Sequence, residues 1–192
     1  MKLTQVKGNT WVLEGFELIP LYRLDNNKCI LLDTGLEQER EDIENTLLEA
    51  GLTPAGILCS HAHIDHAGNN RYFQEKYHIP VALTAREAGM CASVLSLKCY
   101  FLLLPPDMVE RESSNLVHTP DVVIPDQDGL FSFAGVEFTI LHTPGHSVGH
   151  VCTVTPDNVC YAGDALLSQE MLTSKLPYCL SHQMGIESRE KL

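Results

Sequence analysis

Six residues, His61-Ala62-His63-Ile64-Asp65-His66, set the terms for the rest of the chain. They place four metal-competent side chains directly after the apolar stretch Gly56-Ile57-Leu58-Cys59. Side chains two apart on a strand share a face, so a strand end points His61 and His63 the same way. Asp65 and His66 lie where the chain has turned, able to serve a second ion beside the first. Two later stretches carry the same residue types: His142-Thr143-Pro144-Gly145-His146-Ser147-Val148-Gly149-His150 and Tyr161-Ala162-Gly163-Asp164. Each follows an apolar, strand-like run. Pro144-Gly145 excludes a helix that would pair His142 with His146, so a loop offers His146. Three His- and Asp-bearing loops can meet only in a fold that gathers strand ends along one edge of a sheet.

The rest of the pattern fits such a fold. Residues 10–16, 18–24 and 29–32 read as successive strands, with Asp25-Asn26-Asn27 as a turn. Ile43, Leu47 and Ala50 fall at helical spacing over 41–50, and Gly51 is a natural stop. Residues 56–59 form a short strand, 70–77 a helix and 81–83 a strand. Thr84-Ala85-Arg86-Glu87 has the form of a capping box, opening a helix predicted to run to Leu104, before Pro105-Pro106. Strands return at 122–124, 131–133, 136–141, 151–154 and 159–162. Val136, Phe138 and Ile140 alternate with Glu137 and Thr139, as on a half-buried strand. The expected class is α/β: a four-layer αββα sandwich of two mixed β-sheets with outer helices, in one domain spanning 1–192. A last helix is expected to begin near Ser188 as N-cap.

Residues 90–104 are apolar nearly all round a helix. A core helix, or one buried in a homodimer contact, is the first reading, and a hydrophobic lid over the histidine run the second. A lid would suit an acyl or thioester substrate. His150 reads equally as a partner of His146 or as a surface residue.

Charge narrows the partners. With 13 Lys+Arg against 25 Asp+Glu, the net charge of −12 argues against a nucleic-acid substrate and leaves a small molecule. Seven cysteines without a Cys-x-x-Cys pair suggest reduced thiols and a cytoplasmic protein, not a disulfide framework. No apolar run approaches the roughly 20 residues of a membrane span, and the N-terminus has no apolar signal core.

These motifs, together with Leu31-Leu32-Asp33-Thr34-Gly35, resemble the metallo-β-lactamase superfamily over about residues 10–170. The resemblance implies one metal held by His61, His63 and His146, a second by Asp65 and His66, and Asp164 bridging both. It implies Asp33 as an outer partner of the ligands and Asp65 as the group that orients a metal-bound hydroxide. The cofactors would be two divalent ions, zinc first, with iron or manganese as alternatives. The family places a further histidine some tens of residues beyond the bridging aspartate. The later residues offer only His182, in Leu180-Ser181-His182-Gln183-Met184, and so the expectation is that the last helix and strand are missing and the second site is incomplete. The implied activity is glyoxalase II-like hydrolysis of a thioester, ester or lactone. Its alternatives are a mononuclear-iron, persulfide dioxygenase-like oxidoreductase and a shortened metal-binding fold without turnover.

Overall fold

The computed structural model describes residues 1–174 and 178–192. Its larger sheet has seven strands lying side by side in chain order. They are β1 (Lys2–Lys7), β2 (Thr10–Glu14), β3 (Leu18–Arg23), β4 (Lys28–Leu31), β5 (Thr53–Leu58), β6 (Val81–Thr84) and β7 (Val122–Ile124). The first four pair antiparallel through short turns. From β4 onward pairing is parallel, because helices now carry the chain back: α1 (Arg40–Glu49), then α2 (Ile64–Ala67) and α3 (Asn70–Tyr77), then α4 (Ala85–Met90), α5 (Val94–Tyr100) and α6 (Pro106–Ser113). The second sheet holds β8 (Gly129–Phe133), β9 (Val136–His142), β10 (Val151–Val154) and β11 (Cys160–Tyr161). Two helices follow, α7 (Gln169–Ser174) and α8 (His182–Lys191).

Alternation along the strands builds the layers. Cys29 and Leu31 of β4, Ile57 of β5 and Val81 and Leu83 of β6 pack against Ile43, Leu47, Phe73, Leu97 and Val109 of the helices. Ile30, Leu32, Leu58 and Ala82 point the other way, onto Phe133, Phe138, Ile140 and Val151 of the second sheet. On the far side α8 lies along the end of β9, with Ser188 Oγ donating to Pro144 O at 2.7 Å.

The αββα class stands as expected, and four details differ. The second sheet is antiparallel throughout and not mixed, because hairpin-length connections join β8–β9 and β10–β11. β1 has no apolar alternation to announce it and is a largely exposed edge strand. The helix expected to run from 84 to 104 is two helices, parted at Ala92; Ser93 caps the second by accepting from Ser96 N at 3.0 Å. Ser188 is not an N-cap: Ser181 caps α8, and Ser188 lies inside it. No described helix is long and apolar enough to cross a membrane.

Candidate metal centre

The ends of β4, β5, β9 and β11 deliver Asp33, residues 60–66, residues 143–150 and residues 163–165 to one edge. Asp33 turns there in a left-handed conformation, φ +73°, which Asp tolerates better than most residues. Gly145 has φ +142°, and a Cβ on it would strike the backbone of Gly185 in α8. The His146 loop is thus seated against α8, which accounts for a glycine immediately before the histidine.

His61, His63 and His146 each present a ring nitrogen to the same small volume. His63 Nδ1 is 3.0 Å from His61 Nε2 and 2.7 Å from His146 Nε2. Their outward nitrogens reveal which atoms carry protons. Ser60 Oγ donates to Asp33 Oδ2 at 2.6 Å, so at 2.9 Å it must accept from His61 Nδ1–H. His146 Nδ1–H donates to the Tyr178 carbonyl at 3.0 Å. In the neutral rings, His61 Nε2 and His146 Nε2 are therefore lone pairs. His63 Nε2 meets the Tyr100 hydroxyl at 2.7 Å, leaving Nδ1 to face the other two. The inward acceptors of His61 and His146 are unfavourable so close together unless a proton or a cation lies between them, and neutral imidazoles suit Zn²⁺ or Fe²⁺. The donor set fits a divalent ion.

Beside this trio stands a second group. Asp164 approaches His146 Nε2 at 3.0 Å and His66 Nε2 at 3.3 Å, the latter out of line for a hydrogen bond. His66 Nδ1 meets Asp33 Oδ2 at 2.7 Å. Asp33 also accepts from Ser60 N at 2.6 Å and Tyr161 OH at 2.7 Å, and its carboxylate converges with ring nitrogens of His61 and His66. Burial opposes charge on both Asp33 and His66. Their mutual bond overcomes it, holding Asp33 below and, with Asp164, His66 well above its ordinary value. Burial likewise opposes ionisation of Asp164, but His66 and His146 bring it down to about 2.

Asp65, in the first turn of α2, contributes no atom to either convergent set and lines the cavity beside them with His63, His146 and Asp164. His182 is exposed at the start of α8 and faces a different cavity that also touches His146 and Asp164. His150 is not a surface residue. It is fully buried, bonds Thr143 Oγ1 through Nδ1 at 2.8 Å, and is pushed down to about 3 by burial.

Glu87 is the contributor that the sequence pattern concealed. Thr84 does cap α4, but the Glu87 carboxylate does not return to close the box. Fully buried, it accepts from Ala62 N at 2.9 Å, Ser147 Oγ at 2.7 Å and Gly149 N at 2.6 Å. One carboxylate thereby fastens the His61–His63 segment to the His146 loop. Glu87→Gln turns an amide N–H toward one of these donors. We expect about a tenfold or greater loss of metal affinity and about 1–3 kcal/mol of stability, read by chelator competition and thermal melts. Wild-type affinity in that variant would show that the loops are held by other means.

The histidines also fix the pH response of the metal-free protein. Burial lowers the proton affinity of His61, His63, His118, His146 and His150 below the ordinary value of 6.5. As pH falls through 6.5 the unfolded chain takes up protons that the fold refuses, so each of the five removes stability. His66, raised, works the other way: its contribution is full below 6.5 and is lost as pH rises from there toward its raised folded value. Five against one decide the sign. Chelated protein should melt at lower temperature at pH 5.5 than at pH 7.5, and a higher melting temperature in acid would contradict this.

The Metallo-beta-lactamase superfamily matches residues 4–190. The chain is 30% identical over 146 residues to the "Probable metallo-hydrolase YqgX" of Bacillus subtilis, covering 76% of this chain and 64% of that protein. It is 26% identical over 150 residues to the hydroxyacylglutathione hydrolase of Serratia proteamaculans, covering 77% and 47%. The chain therefore spans about half to two thirds of the curated relatives it matches. Among solved structures it is similar to the beta-lactamase from Chitinophaga pinensis, at TM-score 0.75 and 17% identity over 100% of this chain and 73% of the other.

Proposed function

The chain belongs to the metallo-beta-lactamase superfamily, and we propose that it is a metal-dependent hydrolase cleaving a thioester, ester or lactone. The single observation that carries this is the convergence of one ring nitrogen each from His61, His63 and His146, with the lone pairs of His61 and His146 turned inward by Ser60 and Tyr178 and His63 Nε2 set against the Tyr100 hydroxyl. Those three would hold one ion, while His66, Asp65 and Asp164 would hold a second. A divalent ion there supplies Lewis-acid polarisation of a carbonyl and lowers the pKa of water.

The chain's own residues do the remaining work. Asp65 borders the cavity where a carbonyl would lie and would take a proton from attacking water and return it to the leaving group. Asp33 keeps the His66 ring oriented through Nδ1. Tyr100 and Tyr178 pack beside the histidines, their ring centroids 5.5 and 5.6 Å from that of His63. The fold has relatives named as hydrolases, which supports the reaction type and leaves the substrate open.

The test is reconstitution of chelated protein with zinc, manganese or iron, followed by a panel of thioesters, esters and lactones. Turnover restored by a divalent ion is the expected result. Oxygen uptake with a persulfide and one iron per chain would overturn the hydrolase reading in favour of an oxidoreductase. Metal uptake without turnover on any member would point to a binding fold.

A further inference from the structure

The metal-facing residues open into a cavity of about 620 Å³ whose walls are mostly apolar. Phe101, Leu102 and Leu104, following α5, line it together with Leu167, Met171 and Tyr178. His63, His146, Asp65 and Asp164 line it as well. Tyr100 belongs to both parts, since its ring lines the cavity and its hydroxyl meets His63 Nε2 at 2.7 Å.

Two features say what the cavity takes. Leu102 is 73% and Leu103 99% exposed at its rim, which leaves unusual apolar area facing water beside a polar centre. The charged residues among the described lining are the carboxylates Asp65 and Asp164. A net charge of −12 reinforces the sign. We propose that this cavity binds an uncharged, apolar acyl or lactone substituent, so that the physiological substrate carries an aliphatic or aromatic chain beside its carbonyl. The proposal rests on the hydrolase reading for the position of the carbonyl, but binding of the chain does not require turnover. It places the chain against residues 101–104, so that the segment following α5 serves as a wall of the substrate site.

Both questions are separated by two series of one chain-length range. In calorimetry, hydrolysis-resistant n-alkanamides of four to ten carbons are titrated into the metal-loaded protein. Thioesters of N-acetylcysteamine, whose thiol is uncharged, with acyl chains of the same lengths, are assayed for kcat/KM. Burying each added methylene is expected to raise both affinity and kcat/KM about threefold to fourfold until the cavity is filled. Leu104→Asp and Met171→Asp are expected to flatten both series. Affinity that climbs with chain length without any turnover would sustain the cavity and sink the hydrolase. Turnover with a flat chain-length profile would sustain the hydrolase and overturn the cavity. A flat profile with a dimer in sedimentation would assign Leu102 and Leu103 to a contact with a second copy, again overturning it.

Discussion

Asp65→Asn is expected to lower kcat by about 10²- to 10⁴-fold, the range for losing a positioned general base, while the ion at His61, His63 and His146 stays bound. The amide keeps the size and the α2 position of the carboxylate but cannot accept a proton. Because Asp65 lies outside the convergent histidine set and borders the cavity, the first ion should not notice the change. Elemental analysis beside steady-state kinetics separates the outcomes. A drop in rate with one of two ions lost identifies Asp65 as a ligand of the second site. Full rate with full metal would remove it from the reaction.

The second large effect is expected at Asp33. Asp33→Ala leaves Ser60 N, Tyr161 OH and His66 Nδ1 without their buried acceptor and frees the Ser60 hydroxyl that holds His61. Removing one side of a buried charged contact typically costs about 3–5 kcal/mol, and loss of an outer ligand partner about 10- to 100-fold in metal affinity. Both ion positions should weaken together, because Asp33 reaches His66 directly and His61 through Ser60. Thermal melts and competition against a chelator measure the two losses; a variant weakened at one position alone would show that the relay through Ser60 does not operate.

Much of this was legible in the chain. His61, His63 and His146 converge as their strand-end loops suggested, because period-two patterning places strands reliably and the loop after each strand end then has a predictable edge. Asp33 was legible as part of the site only through the family resemblance, since one aspartate in an apolar run gives no local signal. Glu87 was hidden by a competing local explanation: Thr84-Ala85-Arg86-Glu87 satisfies the capping pattern, and only tertiary structure shows the carboxylate engaged elsewhere. The break between α4 and α5 was missed because apolar residues continue across it, and the Ser93 cap is easily read as one more small residue. Ser60, Tyr100, Tyr161 and Tyr178 carry no motif at all. They join the site through pairings such as His63 with Tyr100, across 37 residues, that no short window contains.

Glu87 fastens two distant loops, and hydroxyl or carbonyl oxygens already fix the imidazole tautomers. Little conformational freedom remains for an arriving ion to quench. Selection among ions of similar radius then falls to supply in the surrounding medium, so protein purified from differently supplemented cultures should carry different occupants in an unchanged scaffold.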